Sequence, residues 1–326
     1  MTHAVAGLPA SAYVVAFVAS SLLIVWRLET LSKRQLAGTV LGTLFMPYFS
    51  GLGNLLFVYL LLEKGGFGSE IAVNALTNNV TNLCFIIAIP ALFIGLDLRA
   101  TSRAKKVETG ATLNRLSLIL TLLALIFFSG VTYVLSDDGW IDRIDGLTLV
   151  AIFFFWQCFH IYEVLKENAQ GRRGWSPLIA VDLFIILVAS GITLIAVEGV
   201  VSAIVASDSE ILNKNHLGLL TGFLMILPNA LLAIYYSVRK QPEVVYTSQV
   251  GDAHICVPLC LGAFAIFRSI PTTDFLQQGL LLLVGVGTLH VVCILFFQRL
   301  PRLVACGLIV LYGWILYSHI NTPPLI

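Results

Sequence analysis

LPNALLAIYYSVRKQPEVVYTSQVGDAHICVPLCLG, residues 227–262, joins two long apolar runs through a short basic turn. Each run is long enough for a membrane helix, which needs about 20 apolar residues. Asn229, Asp252 and His254 stand inside these runs, where lipid or packed helices favour leucine. Since a carboxylate in hydrocarbon costs about 2.5–3.5 kcal/mol even on the milder insertion scales, Asp252 indicates a function within the membrane.

The composition of the whole chain is that of an integral membrane protein. Hydrophobic residues make up 58% of its 326 residues, charged residues make up 11%, and the mean hydropathy is +0.92. Soluble domains average far less apolar and more charged residues. The 19 Lys and Arg nearly balance the 18 Asp and Glu, so the net charge of +1 favours no nucleic-acid partner.

The cysteines and glycines argue against redox, zinc or ATP-driven chemistry. All six cysteines lie in apolar stretches and form no C-x-x-C pair, which is typical of packing. The chain also has no G-x-x-x-x-G-K-[ST] loop to hold a nucleotide. We therefore predict a protein that is not an enzyme, needs no cofactor and draws on an ion gradient.

Ten apolar stretches are predicted to form membrane helices. They span residues 10–28, 37–62, 70–96, 114–135, 146–165, 178–205, 217–238, 244–267, 277–298 and 302–320. The first stretch follows no basic region and no evident cleavage site, which predicts a retained helix.

Lys and Arg are distributed unevenly between alternate loops. Fifteen of them lie in the loops after the odd-numbered helices, and four lie in the loops after the even-numbered ones. Because cytoplasmic loops are enriched in Lys and Arg, the odd-numbered loops are predicted to be cytoplasmic. The chain is then a multi-pass protein of the cell (inner) membrane with both termini outside.

The polar segment KENAQGRRGWSP, residues 166–177, divides the chain into two halves of five helices. Residues 1–165 form the first predicted repeat, the segment is a cytoplasmic linker, and residues 178–326 form the second repeat. An odd number of spans per half inverts the second half in the membrane, as in inverted-repeat transporters. The predicted fold is an all-α membrane protein with ten transmembrane helices in two inverted five-helix repeats.

Matching polar interruptions support the two repeats. The second helix of each half has a Gly/Pro-weakened stretch that ends in Asn54 or Asn229, and the third helix has a polar cluster. The stretches are MPYFSGLGNLL (46–56) with GFLMILPNALL (222–232), and the clusters are ALTNNVTN (75–82) with SQVGDAHIC (248–256). Asn78 follows Asn54 by 24 residues, and Asp252 follows Asn229 by 23 residues.

These motifs resemble the sodium/calcium exchanger, or cation/calcium antiporter, superfamily. Its two repeats each contain roughly G-T-S-L-P-E, a turn and E-I-A-x-G-N-x-x-G-S-N-I-F-N. LPN (227–229) and the stretch 242–262 overlay this pattern without a gap. In the first half SGLGN (50–54) stands for the first motif, and EIAVNALTNNVTN (70–82) matches the second with a one-residue deletion. The resemblance covers about the whole chain through degenerate motifs.

The resemblance implies a cation antiporter with an ion site between helices 2, 3, 7 and 8. The two glutamates that are the family's central ligands are replaced here by Asn54 and Asn229. The expected ion-binding residues are Asn54, Asn78, Asn82, Asn229, Asp252 and Cys256, with direct metal contacts from Asp252, Asn54 and Asn229. The transported cation is expected to be Ca²⁺, Na⁺, K⁺ or H⁺. Calcium itself is in question, because it favours several carboxylate ligands.

Other polar residues of the spans have either functional or structural interpretations. His254 lies on a different helix face from Asp252, and it is either a packed core histidine or a modulator of the proton affinity of Asp252. Glu198, deep in helix 6, is a second possible modulator. Asn74, Thr77 and Thr81 are either interhelical hydrogen-bonding residues or ion contacts. His160 and Glu163 are a secondary candidate, with a structural pair near the cytoplasmic boundary as the favoured interpretation. Asp182 is expected to lie at the membrane interface.

Two other function classes remain open from the sequence. A channel or sensor on the same scaffold would need no counter-ion. A binding protein that has lost transport is also compatible with the missing glutamates.

Overall fold

The computed structural model of the chain describes residues 8–34, 51–65, 68–98, 105–168, 177–207 and 216–321. These residues form a mostly helical protein. Its α-helices are α1 (Ala10–Arg34), α2 (Leu52–Lys64), α3 (Gly68–Thr81), α4 (Ala88–Phe93), α5 (Lys105–Leu135), α6 (Arg143–Asn168), α7 (Pro177–Val205), α8 (Leu217–Val238), α9 (Pro242–His254), α10 (Gly262–Phe267), α11 (Asp274–Phe297) and α12 (Arg302–Asn321).

Within the described residues, seven helical stretches are long and apolar enough to cross a membrane. They are Ala10–Thr30, Gly68–Phe93, Arg115–Leu135, Ala180–Val205, Leu217–Val238, Pro242–Phe267 and Asp274–Phe297. The chain is therefore a multi-pass integral membrane protein. The count of ten spans stays a prediction, and the first part of predicted helix 2 and most of the 166–177 linker lie outside the described residues.

Two of the predicted helices are not continuous α-helices. Asn82–Ile86, between α3 and α4, and Ile255–Leu261, between α9 and α10, are π-helical turns. In the first, the N–H of Ile87 bonds to the carbonyl of Asn82 five residues earlier. The second contains Pro258, which has no N–H to donate to an α-helical ladder. Each wide turn begins within the last two residues of one of the two polar clusters, and π turns are frequent at functional sites.

The all-α prediction needs one small correction. Trp140–Ile141 (β1) and Ile270–Pro271 (β2) form a two-residue antiparallel pair. This pair joins the loop after α5 to the loop after α10, both of which are predicted to lie outside. At the other predicted face, the Leu98 N–H donates to the Gln298 carbonyl at 2.8 Å. Loops that meet therefore lie on the same predicted side of the membrane.

α1 and α7 pack against each other as a pair. A small apolar cluster of Ile24, Leu28, Ile186 and Ala189 lies between them, separate from the main core. Polar contacts join the same helices: Ser20 Oγ lies 2.9 Å from Thr193 Oγ1, and Arg27 forms an ion pair with Asp182 at 3.2 Å. Asp182 is 1% exposed, and its position at the membrane interface stays a prediction. The guanidinium on the adjacent helix compensates its burial.

α3 and α8 approach each other through small residues. A Cβ atom at Gly218 would overlap the backbone carbonyl of Glu70, and one at Gly222 would lie 2.9 Å from Thr77 Cβ. The Gly218 N–H also donates to Glu70 Oε2 at 2.6 Å. This close approach brings the polar stretch of the first half against that of the second.

Candidate functional site

A group of buried amide side chains and one carboxylate lies where α2, α3 with its π turn, α8 and α9 meet. Each member is at most 1% exposed. The members are Asn54, Asn78, Asn82, Asn229, Gln249 and Asp252. Because buried polar groups are costly without partners, their concentration in one place marks the candidate functional site.

Asp252 is the centre of this group. Its Oδ2 accepts hydrogen bonds from Asn82 Nδ2 at 3.1 Å and from Asn229 Nδ2 at 3.0 Å. Asn82 comes from the first half of the chain and Asn229 from the second. The carboxylate is therefore held by one amide from each half.

A chain of amides extends from Asp252 toward α2. Asn82 Nδ2 also donates to Asn78 Oδ1 at 2.7 Å, and Asn78 Nδ2 donates to Asn54 Oδ1 at 3.4 Å. Five of the six predicted ion-binding residues thus form one hydrogen-bonded network. The sequence predicted that Asn78 and Asn82 share a helix face, and the hydrogen bond between them shows that they do.

Cys256, the sixth predicted residue, follows Asp252 by one turn and is fully buried. It lies in the wide turn Ile255–Leu261 rather than in regular α-helix. The hydrogen bonds that connect the amides and Asp252 in the described part of the chain do not reach it. Its assignment as a ligand rests on the sequence alone.

His254 faces away from the network. Its Nε2 lies 2.8 Å from the carbonyl oxygen of Thr121, which can only accept, so this nitrogen carries a proton. The imidazole also packs edge-on against Phe128 and Trp156, with ring centroids 5.5 and 6.1 Å away. These contacts favour the packed core histidine over the modulator.

Glu198 also lies outside the hydrogen-bonded network. It is on α7 and is 6% exposed. Of the residues predicted to join helices, Asn74 donates to Thr221 Oγ1 at 3.0 Å, and Thr81 Oγ1 lies 3.0 Å from Tyr312 OH. The side chains of His160 and Glu163 lie outside the described residues.

One member of the group, Gln249, is not predicted from the sequence. It donates from Nε2 to the backbone carbonyl of Asn229 at 3.3 Å. Gln249 precedes Asp252 by three residues on one helix, but its position in the family pattern is unrestricted, so the resemblance implies no role for it. Asn79, next to Asn78 in the sequence, is also buried, and the hydrogen bonds of the group do not include it.

The chemistry available to this site is cation coordination by oxygen. No cluster of three His, Cys, Asp or Glu side chains that could hold a metal occurs among the residues that the structure describes. The buried polar residues of that part of the chain also include no Lys or Arg. The site therefore offers a single carboxylate surrounded by neutral amides.

Comparisons with known proteins point to one family. Residues 5–162 match the family model described as sodium/calcium exchanger protein. A comparison with curated proteins gave no match.

The chain is also similar in fold to solved structures of the sodium-calcium exchanger NCX_Mj. The crystal soaked with 100 mM Na⁺ and 10 mM Sr²⁺ matches with a TM-score of 0.69 at 17% identity, over 95% of this chain and 98% of that one. The crystal soaked with 10 mM Na⁺ and zero Ca²⁺ matches with the same TM-score and coverage at 16% identity.

Proposed function

We propose that the chain is a member of the sodium/calcium exchanger superfamily, whose family model matches residues 5–162, and that it is a secondary-active cation antiporter working by alternating access. The proposed ion site contains Asp252 and the amides of Asn54, Asn78, Asn82 and Asn229. The observation that carries the proposal is the position of Asp252, whose Oδ2 accepts one amide from each half of the chain. A rearrangement of one half against the other would change this contact, as alternating access requires.

The number of charges suggests which cations the site prefers. Calcium takes six to eight oxygen ligands, several of them carboxylates. With one carboxylate and neutral amides, a divalent ion would keep an uncompensated charge in a low-dielectric site. We propose that the site prefers monovalent cations or protons to calcium, more so than family members that have both glutamates.

Competition at Asp252 supplies the coupling. A proton and a monovalent metal cation each neutralise the same carboxylate, so the binding of one excludes the other. Each change of occupant then returns a neutral site, and the protein carries one ion in each direction. The amides of Asn82 and Asn229 hold the carboxylate in place during this exchange.

An ion-binding titration on the purified protein tests the proposal. Na⁺, K⁺ and Ca²⁺ are titrated by calorimetry in two buffers of different ionisation enthalpy, which also reports proton release. We expect monovalent binding accompanied by proton release. Calcium binding at micromolar levels that survives Glu198→Gln would contradict the preference for monovalent ions.

Flux in sealed vesicles separates antiport from the two other function classes. An antiporter moves labelled cation only against an opposing gradient of its counter-ion. A channel conducts without that gradient, and a binding protein that has lost transport gives no flux in either case.

A further inference from the structure

Three buried oxygen atoms at the site have no hydrogen-bond partner among the residues that the structure describes. They are Asp252 Oδ1, Asn82 Oδ1 and Gln249 Oε1. An oxygen that is removed from water and left without a partner is energetically costly, so each of these atoms requires a ligand or a water molecule. Two of them belong to residues already placed in the ion site, and the third belongs to Gln249.

The orientation of the Gln249 amide follows from its partner. Its Nε2 lies 3.3 Å from the backbone oxygen of Asn229, and a carbonyl oxygen can only accept. The amide nitrogen must therefore face Asn229, and Oε1 must point elsewhere. The same argument holds for Asn82, whose Nδ2 faces the Asp252 carboxylate and leaves Oδ1 free.

Gln249 is joined to Asp252 in two ways. Both side chains bond to Asn229, Gln249 through the backbone oxygen and Asp252 through the side-chain amide. They are also three residues apart on α9, which places them on the same side of that helix. Gln249 is fully buried, so its free oxygen lies inside the protein.

We propose that Gln249 is a cation ligand, which supplies Oε1 to the same ion as Asp252 Oδ1 and Asn82 Oδ1. The ligand set is then one carboxylate oxygen and two amide oxygens before any water is added, which is suited to a monovalent cation. This inference rests on the proposed cation transport. It adds a ligand that the family pattern does not assign.

Gln249→Glu tests the proposal because it replaces the amide by a carboxylate of the same shape. A second carboxylate at the ion should raise the affinity for Ca²⁺ relative to Na⁺ by about tenfold or more, since it compensates a divalent charge. The measurement is calorimetric titration of both ions on the purified protein at one pH. Gln157→Glu is the matched control, because Gln157 is also buried with an unpartnered Oε1 but lies on α6.

Each outcome has a defined meaning. Wild-type protein that binds no cation would end the proposed function and this inference together. Wild-type binding with a Ca²⁺/Na⁺ ratio that is the same in Gln249→Glu would overturn this inference alone. An equal change in the Gln157→Glu control would also overturn it, because the effect would then be one of total charge.

Gln249→Ala provides a second variant that removes the oxygen. We expect about tenfold weaker Na⁺ binding and no loss of the Asp252-dependent proton release. Unchanged Na⁺ affinity in a folded Gln249→Ala protein would show that Gln249 is only a structural partner of Asn229.

Discussion

Asn229 on α8 donates its side-chain amide to Oδ2 of Asp252 on α9 at 3.0 Å, across the turn that joins these two helices. The contact fixes which carboxylate oxygen is occupied by protein and which remains free. A charge-assisted hydrogen bond of this kind is worth about 1.5–3 kcal/mol. Asp252 supplies the carboxylate of this contact and Asn229 a neutral amide, so their variants should have different effects.

Asp252→Asn should abolish exchange and leave a folded protein in the membrane. The substitution keeps the size of the side chain and removes the only carboxylate of the network. We expect at least 100-fold slower cation exchange in proteoliposomes and a melting temperature within a few degrees of wild type. Asp274→Asn, which changes an exposed acid at the start of α11, is the control. Exchange at the wild-type rate with the same pH dependence would make Asp252 a structural residue.

Asn229→Ala should weaken cation affinity by about tenfold and preserve the pH dependence of exchange. The variant removes one neutral oxygen and one donor to Asp252 but leaves the carboxylate that binds the proton. Titration calorimetry and exchange rates at several pH values measure both effects. Ser237→Ala on the same helix is a matched control, since the Ser237 hydroxyl donates to the Ala233 carbonyl of its own helix. Loss of the pH dependence would contradict the division of roles.

His254→Ala should reduce stability and change ion binding little. The variant removes the contact with the Thr121 carbonyl and the packing on Phe128 and Trp156. Loss of a buried ring of this kind lowers the free energy of unfolding by about 2–4 kcal/mol. Thermal unfolding in detergent measures the loss, and the pH optimum of exchange should shift at most slightly. A tenfold change in cation affinity would instead favour a role for His254 at the site.

Gly218→Ala should destabilise the contact between α3 and α8. The added methyl group meets the Glu70 carbonyl and the backbone of Asn74, neither of which can move alone. Overpacking of this kind costs about 1–3 kcal/mol. Gly191→Ala on α7 is the matched control, because nothing lies within 4 Å of its added methyl group. That variant should be neutral or stabilised by up to about 1 kcal/mol, since alanine favours helix.

The topology prediction is tested by labelling single cysteines. Residues 1–9 and 321–326 should face outside, and the segments 99–113 and 166–177 should face the cytoplasm. In a cysteine-free background, Arg172→Cys should react with a membrane-impermeant thiol reagent only after the membrane is made permeable. Its labelling by an impermeant reagent in intact cells would overturn the orientation derived from the loop charges.

The sequence predicted the helices better than their internal geometry. Long apolar runs separated by charged loops gave most helix positions to within a few residues, because the bilayer requirement is strong. α1 and α5 extend beyond their predicted spans, since helices continue past the membrane wherever their polar residues allow it. The π turns were not predictable, because one extra residue in a uniformly apolar run leaves no periodic signal. The two-residue β pair was missed for a similar reason, as it depends on two distant loops meeting.

Residues of the candidate site could be predicted only where a repeat motif or the energetic cost of burying a charged group identified them. Asp252 was identified by the cost of burying a carboxylate, and Asn54, Asn78, Asn82 and Asn229 by their positions in the repeats. The pairing of Arg27 with Asp182 could not be found, because these residues are 155 positions apart and only packing brings them together. Neither the position nor the chemistry of Gln249 distinguishes it from an interhelical hydrogen-bonding residue until its free oxygen is seen.

The pairing of α1 with α7 has a mechanical consequence. Two polar contacts join these helices at different positions along their length, Ser20 with Thr193 and Arg27 with Asp182. Neither helix can slide along the other without breaking a buried polar contact. A bilayer that becomes thinner or thicker acts on the hydrophobic length of each helix and favours a change of tilt. Because these two contacts oppose a change of tilt in one helix alone, α1 and α7 should tilt together. A change in bilayer thickness then acts on both halves of the chain at once.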